Sequence, residues 1–143
     1  EMQRIAQKTN NTLEFIQQRD IRVYADRIQL KRVIKNLIQN AISYGEPNFP
    51  IEVSIGEIPQ YIVIKVKDYG AGISKTDIDK IFNKYYSAAK KFRKIGTGLG
   101  LYLALQIIKS HNGELSVESE EGNFTEFTIK LPAVMNINLH YGE

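Results

Sequence analysis

Apolar positions along the chain switch between two spacings, and the switches mark its elements. From Asp26 to Tyr44, residues Leu30, Val33, Ile34, Leu37, Ile38, Ala41 and Ile42 recur every three or four positions, the period of an amphipathic helix. Asp26, with Gln29 three residues on, has the form of a capping box at its start. "GEPNFP" (Gly45–Pro50) ends it, because two prolines and a glycine cannot continue a helix. Ile51–Ile58 and Tyr61–Asp68 then alternate apolar with polar residues around a tight turn at Pro59–Gln60, which predicts two strands. Lys75–Phe82 reads as a short helix. A second strongly apolar helix runs from about Leu99 to Ser110 and stops at Asn112–Gly113, a pair suited to left-handed backbone. Glu114–Ser119 and Phe124–Leu131 alternate again and form a hairpin around "EEGN". Ile21–Ala25 reads as a short strand. Glu1–Asp20 are polar, with weak helical spacing at Ile5, Leu13 and Ile16, and read as a helix or linker.

Runs of adjacent strands separated by few helices predict an α+β fold. Its form is a two-layer α/β sandwich, with a mixed, mostly antiparallel sheet and helices on one face. We expect residues 1–20 to be a linker or the end of a preceding helical domain, 21–134 to form the domain, and 135–143 to be a tail. The 143 residues are enough for one real core. No apolar run reaches transmembrane length and no secretory signal is evident. The absence of cysteine excludes disulfides, thiol catalysis and thiolate metal sites, and fits a cytoplasmic setting. The two histidines, His111 and His140, are too far apart to suggest a metal cluster; His111, at a helix end, reads as a cap or packing residue.

Four features carry candidate chemistry, each with a plainer alternative. The net charge is only +3, but Lys80, Lys84, Lys90, Lys91, Arg93 and Lys94 fall in one stretch without an acid. That stretch is a solvated loop, a nucleic-acid patch or counter-charge for a small anion. Asn36, Asn40 and Ser43 form a stripe on an otherwise apolar helix. They lie at a solvent edge, or their amide oxygens serve a magnesium ion that stays mostly bound to water and phosphate. "DYGAGI" (Asp68–Ile73) is either a simple Asp-Gly turn or a site where Asp68 accepts from the exocyclic amine of adenine. One such bond, left unsatisfied by the wrong base, discriminates by roughly 1–3 kcal/mol. Gly96, Gly98 and Gly100 precede a helix start, as a hinge or as a seat for phosphate on free N–H groups. No Lys-Ser or Lys-Thr follows these glycines and no strand precedes them, which argues against a P-loop and a dinucleotide fingerprint.

Together these stretches resemble the catalytic and ATP-binding domain of sensor histidine kinases. That domain belongs to the Bergerat-fold superfamily of DNA gyrase, the ninety-kilodalton heat-shock chaperones and mismatch-repair ATPases. The resemblance covers Val23 to Pro132. "DRIQLKRVIKNLIQNAISYG" is similar to the N box, "DYGAGI" to the G1 box, "IFNKYY" to the F box and "GTGLGL" to the G2 box. "GNFTEFTIKLP" loosely resembles the closing glycine-threonine motif and last strand.

The resemblance implies a Bergerat ATP-binding fold with ATP and Mg2+ as ligands. Asp68, Gly70 and Gly72 would form the adenine site, with Tyr44 and Ile73 near the ring. Asn40 would coordinate magnesium and Asn36 would sit by the phosphates, the two being the catalytic residues. A lid from about Asn83 to Thr97 would carry Lys90, Lys91, Arg93 and Lys94. Gly96, Thr97, Gly98, Leu99 and Gly100 would fold it over the triphosphate, hinge and seat together. Hydrolytic relatives carry glutamate where Asn36 stands. An amide cannot take a proton from water, so the γ-phosphate should go to a histidine on a separate dimerisation domain, and indirectly to a response regulator. Ser43 and Ser87 stand where the family often has lysine and arginine. The domain is expected to be monomeric within a homodimeric parent, one compatible with membrane anchoring, with no nucleic-acid partner. A non-catalytic nucleotide-binding or docking module, and a protein-serine kinase or ATPase of the same fold, are the alternatives.

Overall fold

The computed structural model describes residues 12–17, 24–84, 86 and 99–133. In chain order the elements are β1 (Thr12–Gln17), α1 (Arg27–Tyr44), β2 (Pro50–Ile58), β3 (Tyr61–Asp68), α2 (Lys75–Ile78), α3 (Gly100–Ser110), β4 (Glu114–Glu120) and β5 (Phe124–Pro132). The five strands form one sheet in the order β1-β2-β3-β5-β4. Only β1 and β2 are parallel; the other neighbours are antiparallel. Helices α1 and α3 pack against each other and against the sheet, giving the two-layer α+β sandwich implied by the element order.

The N-terminal reading needs correction. Thr12–Gln17, taken for helix or linker, is a strand in register with Pro50–Ile55. Leu13 enters the core while Glu14 stays exposed, the period-2 pattern of a strand. The spacing of Ile5, Leu13 and Ile16 mimicked a helix; the edge of β2 supplied the main-chain partners that decided otherwise. Of the strand expected at Ile21–Ala25, the described residues Tyr24 and Ala25 lie outside any strand. A parallel pair needs a long crossover, and α1 provides it between β1 and β2. The short helix expected at Lys75–Phe82 ends at Ile78 and continues as turns, with Ser74 as its N-cap.

Elsewhere the local signals are realised. The Asp26 side chain accepts from the Gln29 N–H at 3.0 Å, capping α1. Gln60 and Asn112 take positive φ at the two expected turns. On β3, Ile62, Ile64 and Val66 point to the helices, and on β5 so do Phe127, Ile129 and Leu131. Val33, Leu37, Ala104 and Ile108 close the core from the helical side, each fully buried. The opposite sheet face is polar: Lys65 pairs with Glu126 at 3.8 Å, and Lys67 lies between the rings of Tyr69 and Phe124.

Candidate nucleotide site

The same alternation that builds the core buries a carboxylate. Asp68 is the fourth inward residue of β3 after Ile62, Ile64 and Val66, and only 2% of it is exposed. Its direct partner across β5 is Thr125, equally buried. Burial pushes the Asp68 carboxyl up to about 7, and a hydrogen bond from the Gly70 N–H pulls it back in part. Its Oδ1 is the buried side-chain oxygen that has no hydrogen-bond partner among the described residues. A buried acceptor of this kind is costly unless a donor reaches it. The exocyclic amine of adenine is such a donor, so the site fits that base.

The loop after Asp68 is held from both sides. Gly70 forms a β-bridge with Gly45, and the Ala71 N–H donates to the Tyr44 carbonyl at 3.3 Å, which docks the loop on the end of α1. A Cβ on Gly70 would strike the Tyr44 carbonyl oxygen and Gly45 Cα, so glycine is needed there. Gly72 has φ of 71°, and a Cβ on it would strike the Glu120 carbonyl oxygen in the β4–β5 hairpin. On that side the Ala71 carbonyl accepts from the Gly122 N–H at 2.6 Å. The Ile73 N–H donates to Ser119 Oγ at 2.8 Å, and the Ser119 hydroxyl donates to the Phe124 carbonyl at 2.7 Å. Thr125 Oγ1, 2.9 Å from Ser119 Oγ, is then the donor between the two hydroxyls. Ile73 is thereby fixed against the core edge. Tyr86 packs partly buried against the same core. Burial and a bond to Asp77 push its phenol up to about 12, so it stays protonated.

The amide stripe meets the glycine-rich turn. Asn40 is buried on α1, and Asn36, one turn earlier, donates from Nδ2 to the Gly100 carbonyl at 3.2 Å. Gly100 opens α3, and its N-cap residue Leu99 supplies no side-chain hydrogen bond. The first N–H groups of α3 are therefore not capped by that residue, and the helix dipole favours an anion beside them. Asp68 with the end of α1, and Asn36 with the start of α3, thus come together from residues up to 64 positions apart.

Of the residues singled out by sequence, the structure brings the Asp68–Ile73 loop, with Gly70 and Gly72, to Tyr44 at the end of α1, and brings Asn36 to Gly100, the residue after Leu99; Asn40 lies on α1 between the two contacts. Lys90, Lys91, Arg93, Lys94, Gly96, Thr97, Gly98 and Ser87 lie outside the described residues, as does His140. Sequence reasoning missed Thr125 and Ser119. A hydroxyl residue in the inward row Thr125, Phe127, Ile129, Leu131 was the available signal. His111 caps α3 as expected, with Nδ1 2.8 Å from the Ile107 carbonyl oxygen, but also reaches Asp26, which the sequence did not reveal.

Comparison with known proteins agrees with this geometry. Residues 25–135 match the family described as histidine kinase-, DNA gyrase B-, and HSP90-like ATPase. The sensor histidine kinase WalK of Bacillus subtilis (strain 168) is 38% identical over 129 residues, which are 84% of this chain and 21% of that protein. The sensor protein SrrB of Staphylococcus aureus (strain NCTC 8325 / PS 47) is 38% identical over 109 residues, 75% of this chain and 19% of that protein. The chain thus spans about a fifth of the length of these relatives. Among solved structures, the catalytic domain of the histidine kinase ThkA superposes with a TM-score of 0.79 at 30% identity, covering 91% of this chain and 84% of that one.

Proposed function

We propose how the residues divide the work from the premise that the chain belongs to the histidine kinase-, DNA gyrase B-, and HSP90-like ATPase family and is an ATP-binding catalytic domain of the sensor-histidine-kinase kind. The buried Oδ1 of Asp68, without a partner among the described residues, is the observation that carries the assignment: it accepts from the adenine amine, and guanine offers no donor at that position. Tyr44 and Ile73 flank the ring. The phosphates run from the end of α1 toward the uncapped start of α3, past Asn36. The positive charge of Lys90, Lys91, Arg93 and Lys94 would offset that of the phosphates.

Magnesium fits a neutral oxygen donor such as the Asn40 amide, with phosphate and water completing its shell. When bound, the ion spreads the negative charge of the β- and γ-phosphates. Asn36 cannot accept a proton, so no residue at that position activates water. The γ-phosphoryl group instead passes to a neutral imidazole, an adequate nucleophile once held in line. The acceptor histidine sits on a dimerisation domain of the parent protein, which relays the group to a response regulator. The need for ATP as donor supports a cytoplasmic location for the domain.

The test is transfer in trans. The chain, mixed with a histidine-bearing dimerisation domain and γ-labelled ATP, should give an acid-labile, base-stable phosphoprotein. ATP binding without any such product would replace this reading with a nucleotide-binding module.

A further inference from the structure

His111 joins the two helices that carry the phosphate end of the site. The Asp26 N–H donates to His111 Nε2 at 3.1 Å, across 85 positions of sequence. The other ring nitrogen, Nδ1, lies 2.8 Å from the Ile107 carbonyl oxygen. A carbonyl only accepts, so Nδ1 carries the proton. Nε2 faces an amide N–H, so it is the bare nitrogen, and the imidazole is neutral. In a complete capping box, the Asp26 N–H would bond to the Gln29 side chain. Here a histidine from another helix takes that place.

The geometry makes this contact one of two rungs. Asp26 meets His111 at the start of α1 and the end of α3. Asn36 meets Gly100 ten residues further along α1, at the start of α3. The helices therefore run antiparallel. Both rungs are separated by nearly the same rise, roughly 15 Å along α1 and roughly 16 Å along α3. Between them lie Val33, Ala104 and Ile108, fully buried and apolar. Apolar burial holds the helices together but is non-directional, and lets one slide against the other by a fraction of an ångström at little cost. The hydrogen bonds at the two ends are directional and set the register.

We propose that His111 is a positioning residue for the phosphate end of the nucleotide site. Its Nδ1-protonated ring ties α3 to the start of α1, and so sets how far the first N–H groups of α3 stand from Asn36. This rests on the ATP reading above. The adenine end is held by a different set of contacts, through Gly45, Gly70 and Ser119, and does not depend on this tie.

The experiment compares ATP with adenosine, titrated into wild type, His111→Ala and His111→Gln. His111→Ala should bind ATP about tenfold more weakly, the worth of one hydrogen bond, with adenosine affinity unchanged within about twofold. His111→Gln, which keeps an acceptor at similar reach, should recover most of the loss. Parallel weakening of both ligands, or ATP affinity unchanged in His111→Ala, would overturn the proposal. Wild type binding neither ligand would instead bring down the ATP reading itself. Imidazole nitrogen NMR of the wild type tests the geometry without any variant. A pyrrole-type Nδ1 and pyridine-type Nε2 are expected at neutral pH, and the opposite tautomer overturns the tie.

Discussion

Asp68 and Thr125 are direct partners across β3 and β5, and both face the helices at the point where the apolar rows of the two strands end. The pair turns the edge of the hydrophobic core into a recognition site. Thr125 is satisfied through Ser119. Asp68 keeps one oxygen without a partner among the described residues and bears the cost of burial.

That cost gives the first prediction. Asp68→Asn should abolish most ATP binding in calorimetric titration while leaving the fold intact. It should also change the pH dependence of stability. Burial raises the folded carboxyl to about 7 from its ordinary 3.8, so between these values the native state holds a proton that the unfolded state has released. Wild-type stability from this group is therefore complete below about 4 and lost as pH rises through about 7, with a slope of up to about 1.4 kcal/mol per pH unit. Urea melts from pH 4 to 8 should show this decline in the wild type and a flatter profile in Asp68→Asn. Equal slopes would mean that Asp68 titrates normally.

Asn40→Ala should weaken the magnesium-dependent part of ATP affinity. Titrations with magnesium and with a chelator separate the two parts. Because Asn40 is buried, the variant should also lose about 1–3 kcal/mol of stability. Affinities that fall equally in both buffers would remove Asn40 as a ligand to the ion.

Two glycine substitutions should differ sharply. A Cβ on Gly70 meets backbone of Tyr44 and Gly45, whereas one on Gly56 meets nothing within 4 Å. Gly70→Ala should cost on the order of 3 kcal/mol and release the loop after Asp68. Gly56→Ala, in strand β2, should be neutral or stabilise by up to about 1 kcal/mol. Thermal melts of the two variants decide it, and similar losses would mean that the loop yields more easily than its packing implies.

Ser119→Ala removes the acceptor of the Ile73 N–H and the donor to the Phe124 carbonyl. The expected cost is about 1–3 kcal/mol. Hydrogen exchange at the Ile73 amide should accelerate, and ATP affinity should fall several-fold as the adenine wall loosens. Unchanged exchange at Ile73 would show that another contact holds this loop.

Residues close in sequence determined much of this protein unaided. The 3.6 period from Leu30 to Ile42, the Asp26 cap, the alternation in β2, β3, β4 and β5 and the stop at Asn112 are encoded by neighbours a few positions apart. Periodicity and capping act at that range, so these elements were legible, and the ordered motifs named the chemistry. Tertiary structure alone decided the rest. Thr12–Gln17 became a strand because an edge of β2 was available to it. Asp68 acquired its raised pKa because two layers closed over it. Asn36 found Gly100, and His111 found Asp26, only because α1 and α3 run antiparallel. Hydrogen bonds and desolvation depend on which groups meet in space, and no pattern along a chain records meetings between residues 64 or 85 positions apart.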